Sequence, residues 1–303
     1  MSLFRFDNLN GEFPALGTDL RRGVPAAVFG VSDAEKYFIA SLAEGRSVYI
    51  AADALSARRA HAAISALSGK KCTLLCAKDE VLTYRKAGSK DSLYRRLTAL
   101  YEWQEGAEAL VADVEAVVQL APRKLRVFKL KAGGETDMRA LVEELVSAGY
   151  TREYTVDGKG AFSVRGDILD IYPINCEHPV RVDFFGDEVE SIKPYDEVTG
   201  ERYPLLSTLD IVAATDALLE EGEEDRLKKL LSAELSRAQN AEAYARLQTV
   251  ISDLEAGGYR SDFLMPVLSN SCSFLSLAGE ETLFLFDECK QIKDKFDGLY
   301  KEH

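Results

Sequence analysis

Through its first 113 residues the chain alternates short apolar runs with helical stretches, and no other feature limits the fold as tightly. Ala26-Ala27-Val28-Phe29 reads as a strand, Ser32 to Ala43 as a helix, Ser47 to Ala51 as a strand and Ala54 to Leu67 as a second helix. The strand Cys72 to Ala77, a helix from Ser92 to Gln104 and the strand Ala109 to Ala112 follow. A βαβαβαβ series of this kind implies a parallel sheet covered by helices. In such folds the first strand-to-helix turn is the usual phosphate site.

From Arg126 the texture changes. Leu125 to Leu130 alternates with period two, and Asp137 to Ala148 is amphipathic, with Leu141, Val142, Leu145 and Val146 on one side. The runs 160–173 and 180–192 alternate apolar and polar residues, the mark of antiparallel strands with one face on a core and one in water. Gly158, Gly160, Gly166 and Gly186 stand at natural turn or bulge positions. The pattern predicts a separate α+β domain over 127–212, after a parallel α/β domain over 1–126. In 213–303 the acidic run Glu220 to Asp225 opens one long helix to Glu255 as a solvated start, favoured by the helix dipole. Gly257-Gly258 ends that helix, and Thr282 to Phe286 is a buried strand that returns to the first domain.

Charge is divided unevenly. The net charge is −13, yet residues 1–150 carry a small positive excess and 151–303 a net of −15. Such acidity argues against a general nucleic-acid binder. No apolar run approaches the roughly 18 residues that a transmembrane helix needs, and the N-terminus has no secretory pattern, so a cytoplasmic protein without membrane contact is expected. Five cysteines without a CxxC pair predict reduced, mostly buried thiols, with Cys72 and Cys76 on one face of a core strand. Three histidines offer little material for a metal site or a catalytic triad; no metal, cofactor or catalytic residue is expected.

A phosphate-binding loop needs glycines for close backbone approach, a lysine for the β/γ charge and a hydroxyl for Mg²⁺. Gly30 and Lys36 fall in the register of that motif, but Glu35 stands at the second glycine and Tyr37 at the hydroxyl position. Glu35 and Asp33 would set negative charge against a triphosphate. The turn therefore reads as a degenerate P-loop. Near the other end Phe284-Leu285-Phe286-Asp287-Glu288 has the form of a strand that delivers an acidic pair to Mg²⁺ and water, here with no nucleotide to act on.

The segment from Gly160 to Ile192 carries a long and specific pattern. Gly160-x-Phe162-x-Val164-Arg165-Gly166-Asp167-Ile168-Leu169-Asp170-Ile171-Tyr172-Pro173, followed by Pro179-Val180-Arg181-Val182-Asp183-Phe184-Phe185-Gly186-Asp187-Glu188-Val189-Glu190-Ser191-Ile192, resembles the domain shared by UvrB and the bacterial transcription-repair coupling factors (Mfd). Glu80-Val81-Leu82-x-Tyr84, Arg96-Leu97-x-x-Leu100, the degenerate loop and the Asp-Glu strand are placed as in that family's N-terminal part. UvrB resembles a working ATPase with an intact loop and a long aromatic hairpin before the third helix. Here only Arg85 to Leu93 separates Tyr84 from that helix, which favours the coupling factors.

The resemblance implies a degenerate RecA-like, UvrB-like α/β domain with an inserted α+β domain that docks on UvrA. The module would be a non-catalytic adaptor that brings UvrA to stalled RNA polymerase in nucleotide excision repair. A polymerase-binding domain and an ATP-dependent DNA translocase motor would lie beyond residue 303, with contacts to RNA polymerase and DNA; autoinhibition in the family would suggest an intramolecular contact of the motor with the acidic half, which the sequence leaves open. By the motif, UvrA contacts fall on Arg165, Arg181 and Phe185, with Asp183, Asp187 and Glu188 as rim partners. Both arginines lie between apolar neighbours and should leave the core, free for carboxylates of the partner. Phe184 and Phe185 must face opposite ways, and an exposed aromatic between arginines has the composition of an interface hot spot. Two other classes stay open. One is a residual nucleotide-binding enzyme using Gly30, Lys36, Asp287 and Glu288. The other is DNA binding by Arg85, Lys86, Lys90, Arg95 and Arg96 with Tyr84 and Tyr94.

Overall fold

A computed structural model describes residues 13–78, 90–196, 199–201, 203–255 and 262–302. The strands in chain order are β1 (Ser47–Ala51), β2 (Cys72–Leu75), β3 (Ala109–Asp113), β4 (Ala121–Pro122), β5 (Val127–Lys131), β6 (Thr151–Arg152) and β7 (Ala161–Arg165). There follow β8 (Ile168–Ile171), β9 (Val180–Phe185), β10 (Glu188–Pro194), β11 (Thr208–Val212), β12 (Ser271–Cys272) and β13 (Leu283–Phe286). The described residues fall into two compact units. One is built from the segments up to Ala77, Glu102–Gln119 and Ala278 onward, the other from Lys78–Tyr101 and Leu120–Leu277.

The first unit holds a parallel sheet in the order β13-β1-β3-β2. β1 and β3 are buried along their whole length, which suits a sheet covered on both faces. The helix Ala54–Ser68 starts at Asp53, whose carboxylate accepts from the Leu55 and Ser56 N–H groups, and ends at Gly69 in the left-handed region. It packs Ala57, Ala60 and Ile64 on Tyr49, Ala51 and Val111. Small alanines let the helix approach the sheet closely, and Tyr49 and Val111 of the strands fill the space between.

Ala26 to Phe29 is not a strand. Residues 24–31 are exposed, Phe29 by 88%, and no strand of the described residues pairs with them. Pro25 removes a backbone donor and Gly30 turns the chain at φ +72°, so little is left to pair. β13 lies at the sheet edge and is half-exposed rather than buried. The cysteines are free; Cys272 is buried, Cys72, Cys76 and Cys176 are half-buried, and Cys289 is exposed. Cys76 falls beyond the end of β2, so it shares no strand face with Cys72.

In the second unit β6 to β10 form one sheet in the order β10-β9-β8-β7-β6, antiparallel except for the β6–β7 edge. β5 and β11 pair antiparallel. The helix Met138–Ser147, capped by Asp137, buries Leu141 and Leu145, while Val146 faces solvent because it falls outside their narrow stripe. The helix expected over 220–255 is two helices, Glu223–Arg237 and Ala241–Glu255. Asn240 breaks it: its side-chain oxygen takes the Ala243 N–H and starts a new helix. The two helices pack on each other through Leu227, Leu231, Val250 and Leu254. Gly257-Gly258 lies outside the described residues. Glu223 is not solvated. It is 4% exposed and accepts from the backbone N–H groups of Glu220 and Ser269 and from Arg226. No described helix is long and apolar enough to cross a membrane.

Candidate functional site: the polar face of the antiparallel sheet

Two short turns shape this face. β7 passes into β8 through Gly166-Asp167, and β9 into β10 through Gly186-Asp187, each glycine at positive φ (60° and 63°). Two-residue hairpin loops require that conformation at one or both positions, and glycine adopts it without steric cost. Since β7 and β9 run the same way, both turns lie at one end of the sheet. Arg165 closes β7 immediately before the first turn, and Phe185 closes β9 immediately before the second.

The register fixes which side chains share a face. Arg165 stands opposite Ile168, and Ile168 opposite Asp183. The next row is Ser163, Asp170, Arg181 and Lys193. Phe185 lies two residues from Asp183 and pairs with Glu188. Arg165, Arg181 and Phe185 therefore share one face, with Asp183 between them in the row order. The opposite face carries Phe162, Leu169, Ile171, Val180, Val182 and Phe184, all buried. Phe184 is 5% exposed and Phe185 79%, as the period of two requires.

The two arginines differ in what they already hold. Arg181 is half-buried and makes a bidentate pair with Asp170, Nε to Oδ1 at 2.7 Å and Nη2 to Oδ2 at 2.9 Å. Asp170 is 5% exposed. The hydrogen bonds to Asp170 hold the Arg181 guanidinium above its usual pKa, against the opposing effect of burial. One edge of the Arg181 guanidinium, Nε and Nη2, is thus filled from the neighbouring strand, and only Nη1 is left outside the pair with Asp170. Asp183 is similarly occupied, accepting from Ser191 at 2.7 Å and Lys193 at 2.5 Å. Burial pushes its carboxyl up, but these hydrogen bonds and the charge of Lys193 outweigh it and leave it below the ordinary carboxylate range. Arg181, Asp183, Lys193, Tyr195 and Gly200 line an open cavity of about 360 Å³. Asp187 and Glu188 are exposed at the turn.

Arg165 is exposed, and no carboxylate among the described residues pairs with it. Its Nη2 donates to the Tyr154 carbonyl at 2.6 Å, and its guanidinium lies 5.1 Å from the centre of the Tyr154 ring. Tyr154, Asp170, Lys193 and Tyr195 escaped the sequence reading. Asp170 had a signal, since it has the parity of the polar face, but the eight-residue link from β8 to β9 leaves their register open.

Four of the residues read from the sequence as a degenerate nucleotide site, Lys36, Tyr37, Asp287 and Glu288, meet in the first unit. Asp33, Lys36, Tyr37, Arg59, Asp287 and Glu288 line a cavity of about 210 Å³. Lys36 Nζ lies 2.8 Å from Asp33 Oδ1 and 2.9 Å from Asp287 Oδ1. Burial opposes its charge, but the hydrogen bonds to the two carboxylates raise its pKa above the usual value. Glu35 closes a capping box with Ser32, so the segment after Gly30 is a capped helix start. Tyr37 is a core residue, edge-on to Tyr49. Glu288 adopts φ +54° and is exposed. Gly30 has open space where a Cβ would stand, so its glycine serves the backbone turn alone.

The described members of the basic cluster do not share one surface. Arg96 is 1% exposed and donates to the Leu120 carbonyl, and Tyr94 is buried. Arg95 pairs with Asp91 one turn away. Both Arg96 and Tyr94 face inward because the helix Lys90–Gln104 buries that side. Lys90 is exposed, and Tyr84, Arg85 and Lys86 lie outside the described residues, as do Glu80, Val81 and Leu82.

The polar face lies wholly within one recognisable segment. Residues 128–216 match the UvrB interaction domain. A transcription-repair-coupling factor of Myxococcus xanthus is 35% identical over 148 residues, 46% of this chain and 12% of that protein. The corresponding protein of Bacillus subtilis is 29% identical over 216 residues, 65% of this chain and 18% of that protein. UvrABC system protein B of Thermosynechococcus vestitus is 42% identical over 85 residues, 28% of this chain and 13% of that protein. The chain spans less than a fifth of each of these relatives. It is similar to the UvrB-like region of transcription-repair coupling factors and to UvrB, with the UvrB interaction domain at its centre.

Proposed function

We propose that this chain is the UvrA-docking module of a transcription-repair coupling factor, and that UvrA binds the polar face of β7 to β10. The observation that carries this reading is Phe185. An aromatic ring 79% exposed on a sheet face, in line with two arginines and inside the segment that matches the UvrB interaction domain, has the composition of an interface anchor. In a longer protein of the family, docking would bring UvrA to a stalled RNA polymerase, and contacts with polymerase and DNA would come from other domains. The same reading divides the chain into 1–126, 127–212 and 213–303, with 127–212 as the inserted docking domain, and assigns it no catalysis of its own. Lys36 supports that last point, since two carboxylates already hold the charge that a phosphate would need.

The test is binding of purified UvrA to the chain, measured by calorimetry. Phe185→Ala should weaken it roughly tenfold or more, the loss of a hot spot, with an unchanged melting temperature. Binding equal to that of the parent chain would remove Phe185 from the interface. The nucleotide reading is tested separately: titration with Mg·ATP should give no heat, and micromolar affinity would overturn the adaptor reading in favour of a working site.

A further inference from the structure

Charge on the polar face is neutralised everywhere but at one end. Arg181 is matched by Asp170 and Lys193 by Asp183, so their charges add little attraction for a newcomer. Arg165 has a backbone carbonyl and an aromatic ring in place of a carboxylate. A carbonyl accepts a hydrogen bond but supplies no countercharge, so the guanidinium keeps a full positive charge and unfilled donors.

Tyr154 is held firmly for so exposed a residue. Its ring is 85% exposed. Its carbonyl takes two side-chain donors from β7, Ser163 Oγ at 3.2 Å and Arg165 Nη2 at 2.6 Å. The preceding Glu153 donates its N–H to the Phe162 carbonyl, continuing the β6–β7 edge. The backbone beneath the ring is therefore fixed to the sheet, and the guanidinium steadies the ring itself. β7 and β9 are separated by one strand, which sets Arg165 about 10 Å from the Phe185 strand, a spacing that one partner surface can cover.

We propose that Tyr154 and Arg165 form a single docking element, in which Arg165 receives a carboxylate of UvrA and the Tyr154 ring packs on the apolar atoms beside it. The assignment rests on the docking reading above and adds a residue that the motif does not contain. Covering the ring displaces water from the guanidinium, so the aromatic contact strengthens the charge-assisted bonds of Arg165 to the partner. The two residues act as a unit.

The experiment is a set of UvrA titrations with the chain carrying Tyr154→Ala, Tyr154→Phe, Arg165→Ala, Phe185→Ala and the double change at 154 and 165. Tyr154→Ala should weaken binding roughly tenfold, while Tyr154→Phe, which keeps the ring, should stay within about twofold. The double variant should lose less than the product of the two single effects, the sign of coupling between neighbours. Parental affinity for Tyr154→Ala, or a double loss equal to that product, would overturn the unit while a weakened Phe185→Ala leaves the docking face standing. If Arg165→Ala and Phe185→Ala also bind as the parent does, the face itself is wrong. All of these side chains are exposed, so melting temperatures should not move.

Discussion

The polar face of β7 to β10 and the Lys36 cavity both contain cations held by carboxylates, but they end in different states. In the cavity, Lys36 sits between Asp33 and Asp287, and the aromatic beside it, Tyr37, belongs to the core. On the sheet face, Arg181 and Lys193 are matched in the same way, yet Arg165, Tyr154 and Phe185 remain with surface to offer. The lesson is that a charged residue in a family position is informative only after its internal partners are counted. A filled arginine holds a surface in shape; an unfilled one can attract.

The largest effect that would sharpen this contrast is at Arg181. Arg181→Glu should cost about 2–3 kcal/mol of stability, towards the low end of breaking a buried pair because Arg181 still reaches water. The change sets a second carboxylate against Asp170, which cannot leave its buried position, so a urea melt should show a lower midpoint along with lost UvrA binding. An unchanged midpoint would mean that Arg181 is as free as Arg165, contrary to its geometry. Arg165→Glu, at a side chain that holds no carboxylate of its own, should by contrast lose binding at constant stability.

Next in size is Lys36→Met, expected to cost about 2 kcal/mol by leaving the buried carboxylate of Asp287 without its cation, while the exposed Asp33 keeps its water. It should gain no affinity for Mg·ATP, and a gain would show that the lysine was guarding a usable site. Glu223 calibrates both cases, being a buried carboxylate outside the strands β7 to β10. Burial alone would raise its pKa, but the Glu220 and Ser269 N–H groups and Arg226 lower it overall. A depressed carboxyl contributes stability that is present above the ordinary value near 4.5 and is lost as pH falls through the folded value. Glu223→Gln should therefore be weaker by about 1–2 kcal/mol at pH 7, and the gap to the parent should close in melts taken progressively below pH 4.5. A gap that is constant with pH would contradict the charged network. The smallest stability effect is that of Phe185→Ser, within about 0.5 kcal/mol, as for other exposed positions. Its consequence belongs to binding; a clear loss of stability would place the ring in contact with its own domain.

Much of the fold was legible because period and turn chemistry are local. The alternation over 160–192 decides that Phe184 goes in and Phe185 out, and Gly166 and Gly186 mark the turns between paired strands. The caps at Asp53 and Asp137 are equally local, each closing on backbone N–H groups two and three residues on. What was not legible depends on partners distant in sequence. Asp170 meets Arg181 only because β8 and β9 adopt one register across a link that leaves it undetermined. Tyr154 reaches Arg165 from an irregular stretch after β6, with no periodicity to place it. Ala26 to Phe29 looked like a strand by composition, but a strand is defined by its neighbours, and it has none among the described residues. Arg96 and Tyr94 looked like surface because they sit among charges, though one helix face carries them inward.

The twin Gly-Asp turns have a kinetic meaning as well. Arg165 and Phe185 are each the last residue of a paired strand, one step from a loop with no residue to spare. Backbone held this way has little motion left to freeze when a partner arrives. The backbone share of the ordering cost on this side is then small, and substitutions here should act on how long the complex lasts more than on how fast it forms.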